Sequence, residues 1–160
     1  MGGLDIIAAT MLDSRLDHEP LVQRFLTTPP LEGAYRVITV ATPFQGSPPA
    51  RLVERTQLDE WFRPAWSPEI RKQAEAMSPT SDFIRLINQP DRQRRLVARV
   101  PGGVHTFGSR NDLLVPDTHR MIEGAINHPA ELFGLDRHSM ILGITQDPRL
   151  ALELFRLFAA

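Results

Sequence analysis

Asp112 and His138 are the two side chains whose types, order and surroundings could do chemistry together. Asp112 stands in Asn111-Asp112-Leu113-Leu114-Val115-Pro116 and His138 in Asp136-Arg137-His138-Ser139, each just past a stretch that reads as a strand. A carboxylate beside an imidazole holds the ring's tautomer and stabilises the imidazolium. The ring can then take a proton from a nucleophile and return it to a leaving group. Each residue also has a plainer use. An Asn-Asp pair is common turn material, and a lone histidine often caps or decorates a surface. The order Asp then His, each at the end of a strand, is more specific than either residue alone.

A nucleophile to go with them is harder to find. No Gly-x-Ser-x-Gly occurs in the 160 residues. Ser47 lies in a Gly-Ser-Pro-Pro turn and Ser139 adjoins His138, and neither sits between small residues after a strand. Metal chemistry has ligand types available in His105, His119, His128, His138, Asp112 and Asp117, but no HExxH or comparable spacing, so no metal is expected. There is no cysteine, which excludes disulfides, thiolate nucleophiles and cysteine metal sites. Trp61, Phe62 and Trp66 either face an acyl substrate as a lid does or pack an insertion onto the body.

The elements that must position these groups follow from local pattern. Leu4 to Leu16 reads as a helix that is apolar nearly all round, of the kind buried on most sides, with no capping residue before it. Arg36-Val37-Ile38-Thr39-Val40-Ala41 is a β-branched run between Gly33 and Pro43, as in a buried parallel strand. A loop follows over 42–49. Residues 50–95 look like a mainly helical insertion, with helix starts at Ser67-Pro68-Glu69 and Thr80-Ser81-Asp82. Val104 to Gly108 is a second strand and Glu131 to Leu135 a weaker third. Asp147-Pro148 opens a last helix whose apolar face carries Leu150, Ala151, Leu154, Phe155 and Phe158. Strands alternating with helices predict an α/β fold with parallel strands at 35–41, 103–109 and 131–136, side by side in that order.

Composition sets outer bounds. At 160 residues, 42% hydrophobic and 23% charged, the chain suits one globular domain. A net charge of −1 gives no general reason to bind nucleic acid or an acidic membrane. The basic run Arg92, Arg94, Arg95, Arg99 reads as a solvated face. No apolar run approaches the ~20 residues of a spanning helix, and no signal peptide is visible.

Four segments carry a resemblance. Met1-Gly2-Gly3-Leu4, Thr42-Pro43-Phe44-Gln45-Gly46-Ser47, Asp112 to Pro116 and His138 occur in the order found in the C-terminal portion of an α/β-hydrolase. The chain is most similar to the lipases and esterases, including bacterial triacylglycerol lipases and GPI inositol-deacylase-like proteins. Those families have Gly-His-Ser-Met-Gly-Gly-Leu at the nucleophile, Thr-Pro-His-x-Gly-Ser after the next strand, Asp-x-x-Val-Pro after the one following, and a late catalytic histidine. Phe44 replaces the family's histidine.

The resemblance implies a single incomplete hydrolase domain over 1–160 with a cap or lid at 50–95. It implies a serine ester hydrolase without a cofactor, with Asp112 and His138 catalytic, the Met1 N–H in the oxyanion hole, and Phe44, Trp61 and Trp66 at the substrate. The chain would begin one residue after its serine, so it would be inactive alone and would expose apolar surface at strand 36–41 and helix 4–16. Its partners would be an ester or lipid and a complementing amino-terminal chain. The alternatives are half of a split hydrolase and a non-catalytic α/β module that binds a lipid or protein.

Overall fold

The computed structural model describes residues 2–11, 35–48, 50, 68–110, 112, 115–130 and 148–159. Among them the helices are α1 (Gly2–Met11), α2 (Pro68–Ala76), α3 (Asp82–Ile87), α4 (Pro90–Arg99) and α5 (Pro148–Ala159). The strands β1 (Val37–Val40), β2 (Val104–Phe107) and β3 (Ile126–Asn127) form one parallel sheet in the order β1-β2-β3. The fold is α/β. β1 and β2 lie inside their expected windows. The strand beside β2 on its other side is Ile126–Asn127, a pair too short to announce itself in sequence, and the expected strand 131–136 lies outside the described residues.

Register sorts the side chains onto two faces. Val37 is level with Val104 and Thr39 with Thr106, which is level in turn with Asn127. Ile38 is level with His105 and Val40 with Phe107, while Ile126 joins that second face. The first face is covered by α1 and α4. Leu4, Ile7 and Met11 recur at helical spacing and are at most 1% exposed, packed with Val37, Leu96, Val100 and Val104. Each such side chain contributes ~1.5–3 kcal/mol by its removal from water. The described apolar stripe of α1 is therefore covered, where an exposed one was expected.

The second face is covered by α5, through Leu150, Leu154 and Leu157 against Ile38, Val40 and Phe107. Here the sequence pattern misleads about orientation. Phe155 and Phe158, expected on the packed side, are 69% and 76% exposed. The helix is apolar around more than half its circumference, so periodicity alone does not choose which side meets the sheet.

Local chemistry explains the boundaries. Ser81 caps α3, its Oγ accepting the Ile84 N–H at 3.1 Å, as Thr80-Ser81-Asp82 suggested. Phe83, Ile84, Leu86 and Ile87 of α3 join the same core as α1 and β1. α2 and α4 each begin on a proline, Pro68 and Pro90, where a missing N–H costs nothing. The basic run on α4 is not simply a solvated face. Arg92 is 3% exposed and donates to Leu86 O, and Arg99 donates to Thr10 O, while Arg94 pairs with Asp91 in solvent. Among the described residues, no helix is long and apolar enough to cross a membrane.

Candidate active site

In a parallel sheet the loops at the carboxyl ends of the strands gather on one side, and that is where α/β proteins place ligands. Here those loops run from Ala41 after β1 and from Gly108 after β2. They are tied to each other. The short 3-10 turn Asp117–Arg120 brings His119 against the first loop, with Nδ1 at 2.7 Å from Gly46 O and its carbonyl accepting the Gln45 N–H at 2.9 Å. Gly46 has φ +81°, and a Cβ there would lie 2.6 Å from Pro79 Cα. Only glycine allows this loop to press against the α2–α3 connection, where Ser47 N–H donates to Met77 O at 2.8 Å.

Asp112 lies on the second of these loops and is 5% exposed. Its Oδ1 accepts the Val115 N–H at 2.9 Å, and its own N–H donates to Ser109 O at 3.3 Å. The carboxylate thus closes an Asx-type turn and is fixed in place by it. A buried carboxylate on this loop suits an orienting role toward a histidine.

The 3-10 turn that follows Asp112 in the chain ends on a group whose role is not legible in the sequence. Arg120 is 0% exposed. Its Nε donates to Asp117 Oδ1 at 2.7 Å, Nη1 to Thr106 O and Oγ1 at 3.1 and 3.0 Å, and Nη2 to His128 O at 2.6 Å. The guanidinium therefore clamps the ends of β2 and β3 and the turn after Asp112 onto one point. Gly108 makes room for it, since a Cβ there would fall 2.1 Å from Arg120 Cδ. An arginine in sequence signals surface, and only the fold reveals one that is buried and fully paired.

On the opposite face of the sheet, His105 Nδ1 lies 3.1 Å from His128 Nε2. His105 Nε2 faces Gly102 O at 3.4 Å, and a carbonyl can only accept, so when His105 is neutral its Nδ1 is the acceptor and His128 the donor. Phe107 stacks on the His128 ring with centroids 4.0 Å apart. The alternation in Val104-His105-Thr106-Phe107 places His105 and Phe107 on one face, but their meeting with His128 needs the parallel register.

His128 is held below its ordinary pKa of 6.5, first by burial, then by the charges of His105 and Arg120, with Glu153 of α5 pulling the other way. A histidine depressed in the folded state binds its proton more readily when unfolded. Stability is therefore complete above 6.5 and falls as pH drops through that value toward the folded pKa. Urea midpoints measured from about pH 7.5 to about 5.5 are expected to decline, and His128→Gln, which keeps an N–H donor but cannot titrate, is expected to flatten that decline. An unchanged slope in the variant would assign the pH dependence to other groups.

The remaining expected site residues fare differently. Phe44 is 2% exposed and packs in the core with Leu4, Phe83 and Ile84, so its ring fills the interior and presents no open face to a substrate. His138, Met1, Trp61 and Trp66 lie outside the described residues. Among the described residues, no three His, Asp or Glu side chains converge as a metal site. Comparison with known families, curated proteins and solved structures finds no match to this chain.

Proposed function

We propose that this chain carries the acid–base part of a serine carboxylic-ester hydrolase of the α/β-hydrolase type, similar to lipases and esterases. The observation that carries the reading is Asp112: a buried carboxylate, held by a turn, on the loop that leaves the carboxyl end of the middle strand of a parallel sheet. In the reaction, a serine hydroxyl attacks the ester carbonyl carbon while His138 takes its proton. The tetrahedral intermediate then expels the alcohol, to which His138 returns that proton. Water, deprotonated by His138 in turn, attacks the acyl-enzyme, and the acid is released as His138 returns that proton to the serine oxygen. Asp112 keeps the imidazole oriented and stabilises its charged form throughout. No cofactor enters. The 160 residues hold no serine in a Gly-x-Ser-x-Gly setting, so the nucleophile and oxyanion-hole loop are assigned to a complementing segment.

The 160-residue chain assayed alone on short and long acyl esters is expected to show no turnover above background. Joined to an amino-terminal segment that supplies a Gly-x-Ser elbow and its preceding strands, it is expected to gain activity that His138→Ala removes. Robust turnover by the short chain, abolished by His138→Ala, would overturn the division of labour and point to a different nucleophile. Failure of every complemented form would favour a non-catalytic α/β module.

A further inference from the structure

β1 is the open edge of the described sheet. Val37 N–H donates to Gly103 O and Ala41 N–H to Phe107 O, so residues 37, 39 and 41 turn their backbone groups toward β2. Ile38 and Val40 alternate with them and turn theirs outward. Among the described residues, the one group that reaches these outward atoms is the Thr42 hydroxyl, 3.5 Å from Val40 O. The edge Val37-Ile38-Thr39-Val40 bears no charge, proline or bulge, the devices that keep edge strands from pairing.

α5 leaves its own apolar stripe on that same side. Leu150, Leu154 and Leu157 face the sheet. At helical spacing Glu153 falls on one flank of that contact and Phe158 on the other, with Phe155 beyond it toward solvent. α5 runs antiparallel to the strands, from Leu150 beside Ala41 and Phe107 to the Leu157 carbonyl that accepts from Arg36. With the right-handed crossover usual between parallel strands, the Phe158 flank faces the β1 side, and both rings are more than two-thirds exposed.

We infer that two copies of this chain associate edge to edge through β1 about a two-fold axis at Thr39, joining their described sheets into one continuous sheet with the exposed rings of the two α5 helices packed together. Antiparallel pairing centred on Thr39 sets Ile38 of one copy opposite Val40 of the other. Those are the residues whose N–H and C=O groups point outward, so each such pair exchanges both hydrogen bonds. An axis normal to the sheet also keeps both α5 helices on the same face, where their stripes meet. Arg36 falls opposite Thr42 and not opposite its own copy, so no like charges clash. The surface is self-complementary, as an isologous interface requires. A lipid surface would cover the rings but leave the backbone edge unpaired.

The inference concerns the 160-residue chain by itself, because a complementing segment that added strands beside β1 would compete with the second copy for this edge, and it is tested without any activity. Sedimentation of the 160-residue chain from micromolar to millimolar concentration is expected to show a particle of twice the 18.0 kDa chain mass. Val40→Pro removes an outward N–H and leaves the β2 ladder intact, and Phe155→Arg puts a charge on an exposed ring position. Each is expected to raise the dimer dissociation constant by about tenfold or more with an unchanged circular dichroism spectrum. A monomer at every concentration, open-ended oligomers, or a dimer indifferent to Val40→Pro would overturn it. Should Val40→Pro disturb the fold, amide exchange in the wild-type dimer decides. Protection of the Ile38 and Val40 N–H groups supports strand pairing, and free exchange rejects it.

Discussion

Asp112→Asn, placed in a chain complemented with a nucleophile-bearing segment, is expected to lower kcat by about four orders of magnitude while leaving stability within ~1 kcal/mol. Asparagine keeps an Oδ1 that can accept the Val115 N–H, now at 2.9 Å, so the turn survives. What it removes is the negative charge that stabilises the imidazolium and the acceptor-only character that selects the ring's tautomer. The substitution thus separates the two uses of this residue. If Asp112 is only a turn former, Asn serves equally well and kcat stays within a few-fold. Asp112→Ala loses both uses, so a fall in activity accompanied by a loss of stability would be ambiguous, and the Asn variant is the decisive one. Steady-state kinetics on a short acyl ester, with urea denaturation of the same preparations, reads both quantities.

Arg120→Met is expected to destabilise the fold by on the order of 3 kcal/mol. Methionine matches much of the volume of the arginine stem, so the loss reports polar contacts more than packing. Thr106 O keeps a second donor in the His128 N–H at 3.0 Å, but His128 O and Thr106 Oγ1 lose their bonds to the guanidinium. Asp117 is about one-third exposed, so water compensates its carboxylate, and Asp117→Asn is expected to cost no more than ~1 kcal/mol. The contrast matters because it identifies the buried end of the arginine, not its ion pair, as the clamp. Equal effects of the two substitutions, or a loss below ~1 kcal/mol for Arg120→Met, would reject that assignment. The damage should concentrate at the carboxyl ends of β2 and β3, and amide exchange at His128 is expected to report it first.

Much of the scaffold was legible in the chain because its signals are local. β1 is a β-branched run with Gly33 and Pro43 marking its surroundings, and β2 lies in a short segment that follows Gly102 and Gly103 and closes on Gly108. Ser81 was readable as a cap because the Oγ-to-N–H bond spans three residues and needs no tertiary partner. Asp112 was readable as a residue past the end of a strand for the same reason, and a turn that begins five residues past β-structure is a local event.

What the chain did not disclose depends on groups far apart in sequence. β3 has two residues and exists because β2 offers it a ladder. Arg120 and Arg92 are buried charges whose desolvation is offset by carbonyls that only the folded chain brings near, so their residue type pointed outward when their position is inward. The His105–His128 contact spans two strands and depends on a register set by the crossover between them. α5 is the clearest case. Its sequence determined that it is a helix and that it is broadly apolar. Which third of it meets the sheet was decided by the shape of Ile38, Val40 and Phe107, because helix periodicity specifies a stripe only when the stripe is narrower than the surface it must cover.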